Sequence, residues 1–324
     1  MPVTFVLDGG SIFPKKQQVN PGIPSAVPAS VVGSAEPATE PGHPIPTGFH
    51  GRRQQLAQWI SAPANPLATR SIVNRIWQYH FGHGIAANPN NFGATGARPT
   101  HPELLDWLAN RFIADGWSFK QMHRLVMTSA AYQRQSTHPN LERVRKSDPD
   151  NLLLAYFSPR RLAAEEIRDS MLAVSGELNM DVGGLPAHPE INLDEALRPR
   201  MIQFSLAPAY QPDRTPAQRN RRSVYVYRSR GLLDPMLNVF NQPQTEDSCE
   251  RRDSSNITPQ VFTLLNSDSS IDRSIAFAQR LEREAATFTG QIQRGFQLAY
   301  QRDPDRSELK LLKRHFQQML VHHQ

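Results

Sequence analysis

The stretch that most restricts the fold is residues 67–132, where helix punctuation and helix-period apolar stripes alternate three times. In the first segment, from about Leu67 to Phe81, Val73, Ile76, Trp77, His80 and Phe81 recur at i, i+3, i+4, i+7 and i+8. That spacing places them on one face of a helix, and Gly82 follows where a left-handed C-cap belongs. The second helix has its start at Thr100 and Glu103, spaced as a capping box with Pro102 in the first turn, and a stripe of Leu104, Leu105, Leu108 and Phe112. The third opens on Ser118 and Gln121 and carries Phe119, Met122, Leu125, Val126 and Ser129. Residues 102–132 therefore read as a helical hairpin, with a core predicted to include Ile76, Trp77, Leu104, Trp107, Leu108, Leu125 and Val126.

Further along, "SPRRLAAEEIRDSMLAVSGEL" predicts a helix ending near Gly176, and "LLDPMLNVF" a short helical piece. Residues 258–286 read as helical with a break near Asn266. The last helix starts on a capping box of Asp305 and Glu308. Two segments read as strands: "VTFVL" near the start, with no evident partner, and "RRSVYVYRSR", which alternates strongly. The expected fold class is mainly α, a helical bundle-like domain with hairpins and one or two short strands. Residues 1–50 are expected to be an extended Pro-rich segment left from an upstream region, and 51–324 the helical domain, with possible sub-units 51–177 and 221–324.

Composition narrows the chemistry. Of 324 residues 39% are hydrophobic, and there are 27 prolines, nine of them in the first fifty positions. The net charge of +6, from 36 Lys+Arg against 30 Asp+Glu, permits an acidic partner without requiring one. The single cysteine, Cys249, excludes an internal disulfide, a Cys-based zinc site and covalent c-type haem attachment through Cys-x-x-Cys-His. No apolar run is long enough to span a bilayer, and the first residues lack the basic-then-apolar pattern of a signal peptide.

Three clusters could carry chemistry. "NRIWQYHFGHGI" holds Arg75, His80 and His83, and Arg70, Asn74 and Gln78 lie at i, i+4 and i+8 beside them. His80 and His83, with His101 or His123, have the makings of a metal site, but Gly82 unwinds the helix between them, and no metal is expected. The alternative reading is that His80 is packed and neutral, Trp77 and Phe81 are buried, and Asn74 and Arg75 clamp the irregular loop 83–100 through its carbonyls. Arg70, Asn74, Arg75, His80, His83 and Arg168 are the candidate binding residues. A binding cleft is expected where residues 83–100 meet this helix and the Glu165–Asp169 helix.

In the second cluster, Glu165 and Asp169 share a helix face at i, i+4, with Glu166 adjacent. This is a candidate acid/base pair of the glycosidase kind. Arg161 at i−4 from Glu165 and Arg168 beside Asp169 equally suit ion pairs on a wet helix surface. The third cluster is the arginine-rich strand with Tyr225 and Tyr227, suited to single-stranded nucleic acid or to a charged edge strand.

Longer motifs resemble a known family. "NPLATRSIVNRIWQYHFGHGIAANPNNFGATGARPTHPELLDWLANRFIADGWSFKQMHRLVMTSAAYQRQS", then "SPRRLAAEEIRDSMLAVSGEL", "RRSVYVY", "FNQPQTEDSCERR", "TPQVFTLLN" and "LAYQRDPDRSE", is similar in content and order to the C-terminal PSD-type domain of unknown function in planctomycete-type cytochrome-associated proteins. "NNFG" at Asn90–Gly93 departs from that pattern, which often has an acidic residue before Phe-Gly. The resemblance implies an accessory or binding module of a larger exported or periplasmic protein. It also implies upstream cytochrome-type domains or a redox partner, and haem only in those upstream domains, with no cofactor in this chain. It carries over no catalytic residue. An anionic glycan as ligand, a glycan-active enzyme and a nucleic-acid binder stand as the other readings.

Overall fold

The computed structural model describes residues 4–8, 11–19, 51–197, 201–202, 205–206, 210–229, 232–245 and 248–322. The Pro-rich segment of residues 20–50 lies outside them. The elements are β1 (Thr4–Asp8), β2 (Ser11–Val19), α1 (Arg52–Ser61), α2 (Pro66–Phe81), α3 (Pro102–Ala114), α4 (Phe119–Met127), α5 (Leu141–Ser147), α6 (Ala164–Ser175), α7 (Leu193–Leu197), β3 (Met201–Ile202), β4 (Ser205–Leu206), α8 (Pro216–Arg219), α9 (Pro235–Val239), α10 (Thr258–Asn266), α11 (Asp268–Glu284), α12 (Phe288–Tyr300) and α13 (Arg306–His322). The protein is mainly α, as the periodicity predicts. No described helix is long and apolar enough to cross a membrane.

The chain divides into two units, residues 1–160 and 161–324. The boundary precedes residue 177 because α6 packs on α9 and α11, both of the second unit.

In the first unit "VTFVL" is not an orphan strand. β1 and β2 form an antiparallel hairpin with Thr4 opposite Val19 and Asp8 opposite Ser11. Gly9-Gly10 between two strand runs is a hairpin signal in the sequence, obscured by Pro14 and the lysines that follow, which give β2 the composition of a linker.

The helical core of this unit joins Val73, Ile76, Ile85, Leu105, Leu108, Phe112, Met122 and Val126. Trp77, Leu104 and Leu125 pack against it only partly buried. Trp107 was expected inside and is 53% exposed. At roughly 100° per residue, Trp107 lies about 200° around the helix from Leu105, opposite the buried stripe. Asn65 caps α2 by accepting from the Leu67 and Ala68 amides, and Gly82 ends it at φ 85°. At α4 half of the expected Ser118–Gln121 box forms, the Ser118 hydroxyl accepting from Gln121 N at 3.3 Å without a reciprocal bond. The box expected at Thr100 does not form. The Thr100 hydroxyl instead donates to the Ile85 carbonyl at 3.2 Å, and α3 starts without a side-chain cap.

In the second unit α6 and α9 share a small core of Ala164, Met236, Leu237 and Phe240. The break at Asn266 is where Ser267 ends α10 and caps α11 through Ser270 N. Asp305 and Glu308 form the predicted reciprocal box at α13, each side chain accepting from the other's backbone amide at 2.8 Å. "RRSVYVY" is not a strand. Ser223–Tyr225 is a single 3-10 turn flanked by isolated bridges at Arg221 and Val226. Its alternation meets no neighbouring strand, and the Arg221 and Ser223 side chains are drawn inward by contacts described below.

Candidate binding cavity of the first unit

One side chain of α2 anchors the start of the loop that follows it. Asn74 is fully buried. Its amide donates to the Ala86 carbonyl at 2.9 Å, and its oxygen accepts from the Ala86 N–H at 2.8 Å. Both backbone groups of a buried residue are thus satisfied by a side chain, as a loop without secondary structure requires. Gly84 passes so close that a Cβ there would stand 2.7 Å from the Asn74 amide nitrogen and 2.6 Å from the Ala86 oxygen. Arg75 reinforces the loop by bonding the Asn90 side chain. Arg70 does not join them. Its guanidinium pairs with Asp106 of α3 at 2.6 Å and donates to the Pro66 carbonyl.

The two histidines of "HFGH" are separated in role. His80 Nε2 meets His123 Nδ1 of α4 at 2.8 Å, and its ring stands edge-on to Tyr132. Burial, and then the neighbouring His123, push the His80 pKa below its ordinary value, favouring the neutral ring. His83 is exposed past Gly82. Among the described residues no three His, Cys, Asp or Glu side chains are placed to hold a metal ion.

Loop 83–101 and the end of α2 enclose a cavity of about 90 Å³. Trp77 and Phe81 come from α2, Leu104 from α3, and Ile85, Thr100, His83 and His101 from the loop. Trp77 and Phe81 were expected to be buried. They are partly exposed because this cavity opens on them.

The remaining wall is residues 150–158, which the sequence reading did not single out. Asp148 accepts from Leu152 N and Leu153 N at 2.9 and 2.8 Å. The buried Asn151 donates to the Tyr156 carbonyl at 2.7 Å and to the Ser158 hydroxyl at 2.9 Å, and accepts from Ala155 N. Asn151 and Leu154 hold φ of 50° and 52°. A left-handed leucine is uncommon and persists only where neighbouring bonds over-determine it. The product is a pinned loop with Leu152 to Leu154 and Phe157 along the cavity. The available signal was an Asp and an Asn three residues apart immediately before three consecutive leucines.

The candidate carboxylates lie on α6, in the second unit. Glu165 accepts from Gln242 at 3.2 Å and from Arg252 at 3.1 Å. Burial alone would raise its pKa, but these bonds outweigh that and hold the carboxyl below its usual range. Its ion-pair partner is therefore Arg252, while Arg161 donates to the Ser255 carbonyl. Glu166 caps its own helix through Ala163 N at 2.7 Å. Asp169 accepts from the Ser223 amide and hydroxyl at 2.8 and 2.6 Å. Arg168 was expected in an ion pair with Asp169 on a wet surface; the pair forms at 3.6 Å, but the guanidinium is buried. It donates to the carbonyls of Arg219 and Arg221, both at 2.9 Å, and to the Ser223 hydroxyl at 3.1 Å. Arg221 is likewise buried, donating to the Leu185 carbonyl and stacking on Tyr225.

The fold and this cavity define a mainly helical protein with a small pocket whose lining mixes aromatic and aliphatic side chains with His83, Thr100, His101 and Asp150. Residues 52–316 match the model of the PSD1 family, described as a protein of unknown function (DUF1553). The chain belongs to that family. No curated protein and no solved structure matches it.

Proposed function

We propose that this chain is a non-catalytic binding module, and that its site is the cavity between α2, loop 83–101 and residues 150–158. The observation that carries this reading is the pinning of the cavity walls. Asn74, Asp148 and Asn151 commit their side chains to loop backbone, so the lining stands ready before any ligand arrives. The favoured ligand presents a flat or apolar group to Trp77, Phe81 and Phe157 and one polar group to His83, His101 or Ser158. The carboxylates of a glycan-active enzyme, Glu165, Glu166 and Asp169, are each engaged by a fold contact, which favours binding over catalysis. Arg221, drawn into the protein, weakens the nucleic-acid reading. By its sequence resemblance, the module serves a larger exported, cytochrome-associated protein, with haem in upstream domains and a redox partner or anionic glycan within reach.

Saturation-transfer NMR with indole, phenylacetate and neutral and sulfated oligosaccharides tests this. Leu153 is 71% exposed on the cavity rim, so Leu153→Asp changes the site without touching the core. Transfer to one of these probes that disappears in Leu153→Asp, at unchanged thermal stability, is expected. Absence of transfer to every probe, or glycan turnover abolished by Glu165→Gln, overturns the reading.

A further inference from the structure

Helix α10 is built inside out. Its buried residue is the polar Gln260. The Gln260 amide donates to the Val239 carbonyl at 3.0 Å and to the Ser255 hydroxyl at 3.1 Å, and its oxygen accepts from Ile257 N at 3.3 Å. Hydrogen bonds of one side chain thus anchor the helix, while its apolar residues face solvent. Val261, Phe262 and Leu264 are exposed, Leu265 is 67% exposed, and Ile257 at the N-cap is exposed too. At roughly 100° per residue, the four helical positions fall within an arc of about 160°. The start of α11 lies against α10, since the Ser270 hydroxyl donates to the Thr263 carbonyl at 3.3 Å. Ile271 and Ile275 of α11 are exposed as well.

Area and charge define what covers this face. The five residues from Ile257 to Leu265 expose roughly 500 Å², near the top of what a monomeric protein leaves in one patch. With Ile271 and Ile275 the area is roughly 700 Å², close to the share of about 800 Å² that each partner gives to a standard interface. The α10 sequence, "TPQVFTLLN", has no charged residue, so a charged partner would find no counter-ion on it. A second copy meets it as uncharged helix on uncharged helix, with no like charges opposed. Antiparallel pairing also sets the exposed Asp268, just past the C-terminus of one α10, toward the positive end of the other helix.

We infer that α10 is the docking face for a second copy of this chain, with the two α10 helices antiparallel across a two-fold axis. Such an interface is self-complementary, the same residues serving both copies. Val261 and Phe262, midway along the helix, lie at the axis, and Leu265 of each copy packs near Thr258 of the other. The inference is independent of the cavity in the first unit and survives or fails without it.

Sedimentation velocity of the whole chain under reducing conditions, from micromolar to submillimolar concentration, tests this. A monomer–dimer equilibrium is expected. Leu265→Glu places a charge on the face at an exposed position, and should weaken dimerisation about tenfold or more with the circular dichroism unchanged. Leu311→Glu, at an exposed apolar position on α13, should leave the dimer intact. Should Leu265→Glu fail to fold, Val261→Cys with the exposed Cys249 changed to Ser should trap a disulfide-linked dimer on oxidation, which Cys249→Ser alone should not give. A wild-type chain that stays monomeric overturns the inference, and a monomer whose melting temperature falls in Leu265→Glu shows the face covered within one chain. A dimer unchanged in folded Leu265→Glu, or equally weakened by Leu311→Glu, overturns it too, as does the absence of a disulfide at Val261→Cys.

Discussion

Asn74 and Ala86 form a closed two-bond pair, side-chain amide to backbone amide, at 2.9 and 2.8 Å. Loop 83–101 takes its path from that pair, and Gly84 is the residue that lets the backbone pass over it. Asn74→Ala leaves a buried N–H and a buried carbonyl without partners, and is expected to cost about 3 kcal/mol. Urea denaturation measures the loss. Hydrogen exchange should show the Ala86 and Thr100 amides opening well before those of α3.

Gly84 and Gly82 should differ under the same substitution. Gly82→Ala meets no neighbouring atom and bears only the left-handed backbone at φ 85°, about 1 kcal/mol. Gly84→Ala puts its Cβ at 2.6 Å from the Ala86 oxygen, and the Asn74 pair must break or shift. Its cost should be about 3 kcal/mol, with loop amides exchanging as in Asn74→Ala. Equal melting temperatures for the two variants would contradict this account of the loop.

The His80–His123 pair makes stability depend on pH with a definite sign. His80 has its pKa lowered in the folded state, so the unfolded chain binds more protons as the medium acidifies. The stability this neutral ring contributes is fully present above the unfolded value of 6.5 and is lost as pH falls below it. A melting temperature that declines between about pH 7 and pH 5, and declines less in His80→Gln, is the expected result. The same slope in His80→Gln as in the wild type would place the titrating group elsewhere.

Arg168 should behave as a structural residue that lysine cannot replace. Its guanidinium serves two carbonyls and a hydroxyl in different directions, which a single ammonium cannot reach together. Arg168→Lys is expected to destabilise the second unit by about 2 kcal/mol, and Arg168→Met by about 3 kcal/mol. Thermal unfolding followed by circular dichroism decides it, and a stable Arg168→Lys protein would refute the assignment.

Helix ends were legible in the residues themselves. Gly82 after Phe81, Ser118 before Gln121, the break at Asn266 and the reciprocal Asp305–Glu308 box are settled within about four residues by backbone geometry and hydrogen bonding. The clamp role of Asn74 was legible too, because a polar residue on a helix that leads into a Gly- and Asn-rich loop has few other acceptors to serve. Only the tertiary structure decided the rest. Trp107 lies opposite the stripe of Leu105, Leu108 and Phe112, and its large apolar side chain suggested burial that only packing on a second face of α3 would have given. Arg168 keeps the expected pair with Asp169, but a segment 53 residues away brings its carbonyls over the guanidinium and buries it. Glu165 takes its counter-ion from 87 residues downstream, not from the neighbouring turn. "RRSVYVY" alternates like a strand and forms none, since its Arg221 carbonyl accepts from the Arg168 side chain and its Ser223 amide donates to the Asp169 side chain, where a strand needs neighbouring backbone. Local pattern determines which segments coil, while the burial of a charge depends on partners that only the folded chain brings within reach.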